Sequence, residues 1–284
     1  MNVRALSRTI LPILCVCTTA CSASFINQGT NQRVVGSNWR LIGSGSAPGA
    51  QPSNPYIGLA IGVSGNTLYA AGADFVPCSQ GSSAIGESIG GSTQIASDGS
   101  FDLNNLAIPQ NSIQYSIHGK VPQAGSSSWQ GTYTLTSPAN NSCVFSDSGS
   151  FTATAYPPFQ GTYAGKVDGQ GLGSGVSLTL DVSQGAPILS PTGPHAVASF
   201  RLPLTGTISV SGSTCFTSGT FESKSNSAVM GDQFMIAASM SDGSTAEIRG
   251  WFSDQTEKTL QPFTIAVHSG QCNGAFGSGT LTLQ

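Results

Sequence analysis

The chain has 284 residues, only 8% of them charged, with 36 glycines and a formal net charge of −3. Ten Lys and Arg against thirteen Asp and Glu give no basic surface, so no nucleic-acid partner is expected. So much glycine with so little charge is the profile of an exported β-protein and speaks against a helical one; the length suits one large domain or two ordinary ones.

At the N-terminus, Arg4 and Arg8 form a positive region, Ile10 to Val16 a short apolar stretch, and Thr18, Thr19 and Ala20 a run of small residues before Cys21. This is the anatomy of a signal peptide. The apolar run is too short for a spanning helix, which needs about 20 apolar residues. Thr18-Thr19-Ala20-Cys21 resembles the lipobox of bacterial lipoproteins, although that family usually carries an aliphatic residue where Thr18 stands. The resemblance covers the export segment alone. It implies that residues 1–20 are removed, that Cys21 receives a diacylglycerol and becomes the mature N-terminus, and that the membrane is a partner through this lipid. Ser22 would, by the same analogy, favour the outer membrane where two membranes exist. The competing reading is an ordinary secretory signal cut near Ala23. Without Arg4 and Arg8 the formal charge becomes −5.

Residues 22 to 36, rich in Asn, Gln, Ser and Gly, read as a tether, so 21–36 is expected to join lipid to fold. Beyond it the dominant period is two, as in Ile113-Gln114-Tyr115-Ser116-Ile117, Ser177-Leu178-Thr179-Leu180-Asp181-Val182 and Thr207-Ile208-Ser209-Val210. Such alternation marks strands with one buried and one wet face. Turn signals separate the strands, notably Ser97-Asp98-Gly99-Ser100 and Ser241-Asp242-Gly243-Ser244. Tyr156-Pro157-Pro158-Phe159 breaks any central strand and is the expected boundary. The expected fold is therefore all-β: two tandem antiparallel β-sandwich or β-barrel domains, residues 37–156 and 157–284.

Of seven cysteines, Cys15 and Cys17 lie in the signal and Cys21 at its end, leaving Cys78, Cys143, Cys215 and Cys272. In an oxidising compartment an even set so widely spaced reads as disulfides. The expected bridges are Cys78–Cys143 and Cys215–Cys272, one closing each domain. The mature chain has no Cys-x-x-Cys, which argues against a thioredoxin-like or zinc-ribbon site. Superposing the two pairs aligns Phe101 with Phe234, Ile117-His118-Gly119 with Ile248-Arg249-Gly250, and two Gly-Ser-led strands after the closing cysteines. A duplication is expected from these landmarks.

Motifs of chemistry are sparse. Gly86-Glu87-Ser88-Ile89-Gly90 matches a nucleophile elbow, but it lacks the apolar strand before and the helix after that make the elbow work. His118, His195 and His268 stand isolated, and no metal or cofactor is expected. Asp74, Glu87, Asp102, Asp181, Asp232, Glu247 and Asp254 offer carboxylates that the sequence cannot pair across a cleft. Trp39, Trp129, Tyr133, Tyr163 and Trp251 are candidates for a sugar-stacking face; Trp129-Gln130-Gly131-Thr132-Tyr133 and Phe159-Gln160-Gly161-Thr162-Tyr163 are near-copies. Ring and Tyr four residues apart share one strand face, and core placement is the expectation. The reading is an envelope-anchored, extracytoplasmic lipoprotein that is not an enzyme, a structural or interaction module with an envelope protein or glycan as partner. The alternatives are a carbohydrate- or small-ligand-binding β-module and, after it, an extracellular hydrolase.

Overall fold

The computed structural model describes residues 36–44, 56–75, 88–104, 114–123, 125–136, 146–190, 199–253 and 256–284. It is all-β, with no helix among those residues. The first eight strands are β1 (Ser37–Gly43), β2 (Tyr56–Ser64), β3 (Thr67–Phe75), β4 (Ser88–Gln94), β5 (Ser100–Leu103), β6 (Gln114–Lys120), β7 (Ser128–Thr136) and β8 (Ser146–Ala155). The remainder are β9 (Gln160–Gln170), β10 (Val176–Gln184), β11 (Ile188–Ser190), β12 (Ser199–Ser211), β13 (Ser218–Phe221), β14 (Ala228–Met230), β15 (Gln233–Met240), β16 (Thr245–Phe252), β17 (Thr259–Val267) and β18 (Phe276–Leu283).

Both sheets are antiparallel meanders whose first and last strands pair. The first runs β4-β3-β2-β1-β8-β7-β6-β5. Its two end strands lie side by side without a ladder among the described residues; at their turn Ala96 N–H donates to the Ser100 carbonyl and Gly99 N–H to the Ala96 carbonyl. The first barrel is thus nearly closed, with one seam. The second runs β10-β9-β18-β17-β16-β15-β13-β12, and a β10–β12 ladder completes the circle. β11 and β14 lie off its wall. The alternation that the sequence displays could serve a sandwich equally well; closure by β1–β8 and β9–β18 makes barrels of it.

Period two appears directly in the packing. Trp129, Tyr133 and Leu135 of β7 point inward while Ser128, Gln130, Thr132, Thr134 and Thr136 face solvent. Val176, Leu178, Leu180 and Val182 do the same for β10. In the first barrel Trp129 meets Trp39, Phe101 and Phe151 at centroid distances of 6.1, 5.8 and 4.8 Å. Phe159 organises the second, with Tyr163, Phe234 and Phe252 at 5.3, 5.0 and 4.8 Å. Such pairs add about 0.5–1.5 kcal/mol beyond their burial.

One strand departs from alternation for a physical reason. Along β2, Leu59, Ile61 and Val63 fill the first barrel, while Gly58, Ala60 and Gly62 on the opposite face are buried against the second. A Cβ on Gly58 would lie 2.6 Å from the Asp232 nitrogen, and one on Gly62 would lie 2.0 Å from the Phe200 ring. Small residues there let the walls meet. Asn38 then clasps the β14–β15 turn: its side-chain amide donates to the Gly231 carbonyl and its side-chain oxygen accepts from the Gly231 N–H.

The paired landmarks fall on matching wall strands. Phe101 is on β5 and Phe234 on β15, the fifth wall strand of each barrel; Ile117-His118-Gly119 is on β6 and Ile248-Arg249-Gly250 on β16, the sixth. Cys215 and Cys272 are bonded, with Cα atoms 5.8 Å apart, tying the β12–β13 connection to the β17–β18 connection. The circle of the second barrel is closed by its strand ladders, and the disulfide pins two loops at one end. Cys21, Cys78 and Cys143 lie outside the described residues.

Candidate binding site at the mouth of the first barrel

Strand direction places the β2–β3, β4–β5 and β6–β7 connections at one end of the first barrel, around a cavity of about 700 Å³. Apolar side chains of Val63, Ile95 and Val121 contribute its floor, continuous with the core below. Asn66, Asp98, Lys120 and Gln123 supply polar groups around it. Backbone bonds knit the connections together: Ile95 N–H donates to the Asn66 carbonyl at 2.7 Å and Val121 N–H to the Gly99 carbonyl at 2.9 Å. The walls are therefore fixed before any ligand arrives.

The Asp-Gly signal sets the local shape. Gly99 adopts φ 83°, a left-handed backbone that glycine takes at little cost. Asp98 Oδ1 accepts from the Ser100 N–H at 3.0 Å and the Ser100 hydroxyl at 2.6 Å, while Lys120 Nζ stands 3.6 Å from its other oxygen. These two Ser100 bonds, with Lys120 adding to them, hold the Asp98 carboxyl below the usual carboxylate range. The ion pair is exposed on both sides and stabilises the fold little. Both of its members remain accessible from the cavity.

Directly beneath lies the aromatic cluster. Trp39 is the third residue of β1 and Trp129 the second of β7, both strands starting at this end. Each buries an indole N–H with no acceptor among the described residues. A buried unpaired donor costs about 1–3 kcal/mol.

The second barrel presents a buried acid at its corresponding end. Glu257, between β16 and β17, is 3% exposed, holds φ 56°, and its Oε1 meets no partner among the described residues. Burial pushes its carboxyl up to about 9. The Tyr163 hydroxyl donates to the Glu257 carbonyl at 2.8 Å; burial and, after it, the nearby Glu257 carboxyl raise the Tyr163 phenol.

The sequence candidates distribute as follows. Ser88 opens strand β4, opposite Ala73, so no strand-to-helix elbow forms at it. His118 Nδ1 sits 2.6 Å from Asp102 Oδ1 across β5–β6, an exposed pair on the convex wall away from the cavity. Sequence reading missed this pair because it depends on strand register. His268 is exposed at the end of β17, and His195, Glu87 and Asp254 lie outside the described residues. Asp74 belongs to β3 and Asp181 is exposed on β10; Glu247 accepts from Arg249 Nε at 2.6 Å, and Asp232 is buried at the barrel–barrel contact. Trp39, Trp129, Tyr133 and Tyr163 are buried in the cores, and Trp251 is half-buried. Those four rings are core, as expected, and offer no external stacking platform. Among the described residues no cluster of His, Cys, Asp and Glu is arranged to hold a metal.

No protein family matches the chain, and neither does any curated protein or solved structure.

Proposed function

We propose that this protein is an exported, lipid-anchored module of the bacterial envelope that displays two barrels as one unit for interaction and carries out no catalysis. The observation that carries the reading is the double use of β2: with Leu59, Ile61 and Val63 in one core and Gly58, Ala60 and Gly62 against the other barrel, the two barrels present a single body. Packed aromatic interiors favour a display unit over a container. The N-terminal residues support export and anchoring, with Cys21 as the lipidated residue.

The test is intact mass spectrometry of detergent-extracted protein, with and without reduction. The expected mass is that of the chain from Cys21 plus lipid, gaining four hydrogens on reduction. An unlipidated mass beginning after Ala23 would overturn the anchor, as would retention of Cys21→Ser in the membrane fraction.

The four-hydrogen gain rests on a second bridge, Cys78–Cys143, which we also propose. Cys78 falls in the β3–β4 connection and Cys143 in the β7–β8 connection, the positions that Cys215 and Cys272 hold between the third and fourth and the seventh and eighth wall strands of the second barrel. Supported by the same correspondence, the barrels are read as copies of one ancestral unit, residues 37–156 and 157–284. Peptide mapping without reduction is expected to show Cys78 linked to Cys143; free thiols at both positions would overturn this pairing.

A further inference from the structure

We propose that the mouth of the first barrel binds a neutral saccharide of one or two sugar units. The cavity, at about 700 Å³, lies in the range of small-molecule sites. Its chemistry is divided as a sugar requires: Asn66 and Gln123 offer amides that donate and accept, Asp98 accepts, Lys120 donates, and Val63 and Val121 give an aliphatic floor for a C–H face. One carboxylate and one ammonium cancel, so the rim does not select a charged ligand. Its backbone is already cross-bonded from Asn66 to Ile95 and from Gly99 to Val121, which lowers the ordering cost of binding.

The cavity rests on a packed aromatic core. The layer under the mouth contains the indole N–H groups of Trp39 and Trp129, buried and without acceptors among the described residues. Trp129 is the most exposed ring of the first core, at 7% against 4% or less for the others. The seam between β4 and β5 meets the same rim.

The experiment is calorimetric titration of the full chain with glucose, N-acetylglucosamine and their β-1,4-linked disaccharides, with leucine and sodium sulfate as a zwitterion and an anion for contrast. Saturable binding of at least one saccharide is expected, weakened tenfold or more in Lys120→Met and in Asn66→Ala. Asp242→Asn is the control, because Asp242 makes the same bonds to Ser244 that Asp98 makes to Ser100, but in the second barrel; it is expected to leave binding unchanged. Tryptophan fluorescence is expected to shift on saturation. Thermal melts of the variants separate lost contacts from lost folding, and Lys120, exposed at the rim, is replaceable without unfolding. The proposal fails if no saccharide saturates up to about 10 mM, a weak-binding limit on the affinity scale. It also fails if leucine or sulfate binds instead, or if Lys120→Met and Asn66→Ala bind as the native chain does. None of these outcomes depends on the lipid at Cys21.

Discussion

The two barrels solve the same closure problem differently. In both, the weak place lies between the fourth and fifth wall strands. β4 reads Ser-Ile-Gly-Gly-Ser-Thr-Gln, with adjacent glycines and few side chains to pack, and the first barrel leaves its junction with β5 unladdered. β13 has only four residues and pairs β15 at two positions. There the second barrel adds β14, which pairs with both β12 and β15 and bridges the gap. The turn that follows is the one Asn38 holds. The repair of one barrel is thus also its attachment to the other, while the unrepaired seam stays beside a cavity. Closure and access are traded at one position of the wall.

The largest effect that sharpens this comparison is expected from Phe159→Ala. Phe159 is fully buried among Tyr163, Phe234 and Phe252, and a Phe→Ala truncation of this kind costs about 3–5 kcal/mol. Denaturant titration followed by fluorescence reads both barrels, since Trp251 belongs to the second while Trp39 and Trp129 belong to the first. Loss in the Trp251 signal first is the expected order. A single shifted transition for all three would show that the barrels unfold as one cooperative unit.

Asn38→Ala comes next. It leaves the Gly231 N–H and carbonyl buried without their partner, at about 1–3 kcal/mol. The expected outcome is a separation of the two unfolding transitions with each barrel still folded. If the transitions keep their spacing, the clasp does not couple the barrels.

Glu257→Gln is expected to act only through pH. Burial lifts the folded-state pKa to about 9 from the ordinary 4.5 of a free glutamate, so the acid is neutral when folded and ionised when unfolded over that interval. Its contribution to stability is therefore full below about 4.5, declines as pH rises and is lost once pH passes about 9. The Gln variant is expected to match the native chain in acid and to exceed it at pH 8, with a flatter stability profile in the second barrel alone. Equal slopes for the two proteins would exclude Glu257 as the cause.

The sequence made the inward aromatics and the wet Ser and Thr faces legible because period two reports burial directly, as along Trp129 to Leu135. It did not distinguish barrel from sandwich, since alternation says which face is dry and nothing about which strands close the sheet. Ile57-Gly58-Leu59-Ala60-Ile61-Gly62-Val63 carries a signal of its own: an apolar or small residue at every position marks a strand buried on both sides. Thr256-Glu257-Lys258 reads as a polar connection, and only tertiary packing buries its central acid. The mouth was legible in fragments. Asp98-Gly99 announced a turn, but its convergence with Asn66 and Lys120 follows from strand order and register, which one sequence does not display.

β1 gives this architecture a mechanical character. It is the first strand of the first barrel, paired along six residues with β2 and along five with β8, and it carries Asn38 near its leading end. Traction applied from the N-terminal side along the strand would shear both ladders together and reach the second barrel through the Gly231 clasp before the first had yielded. Resistance to such a pull is a matter of unfolding rate, so this strand sets how long the whole body survives strain that enters from that side.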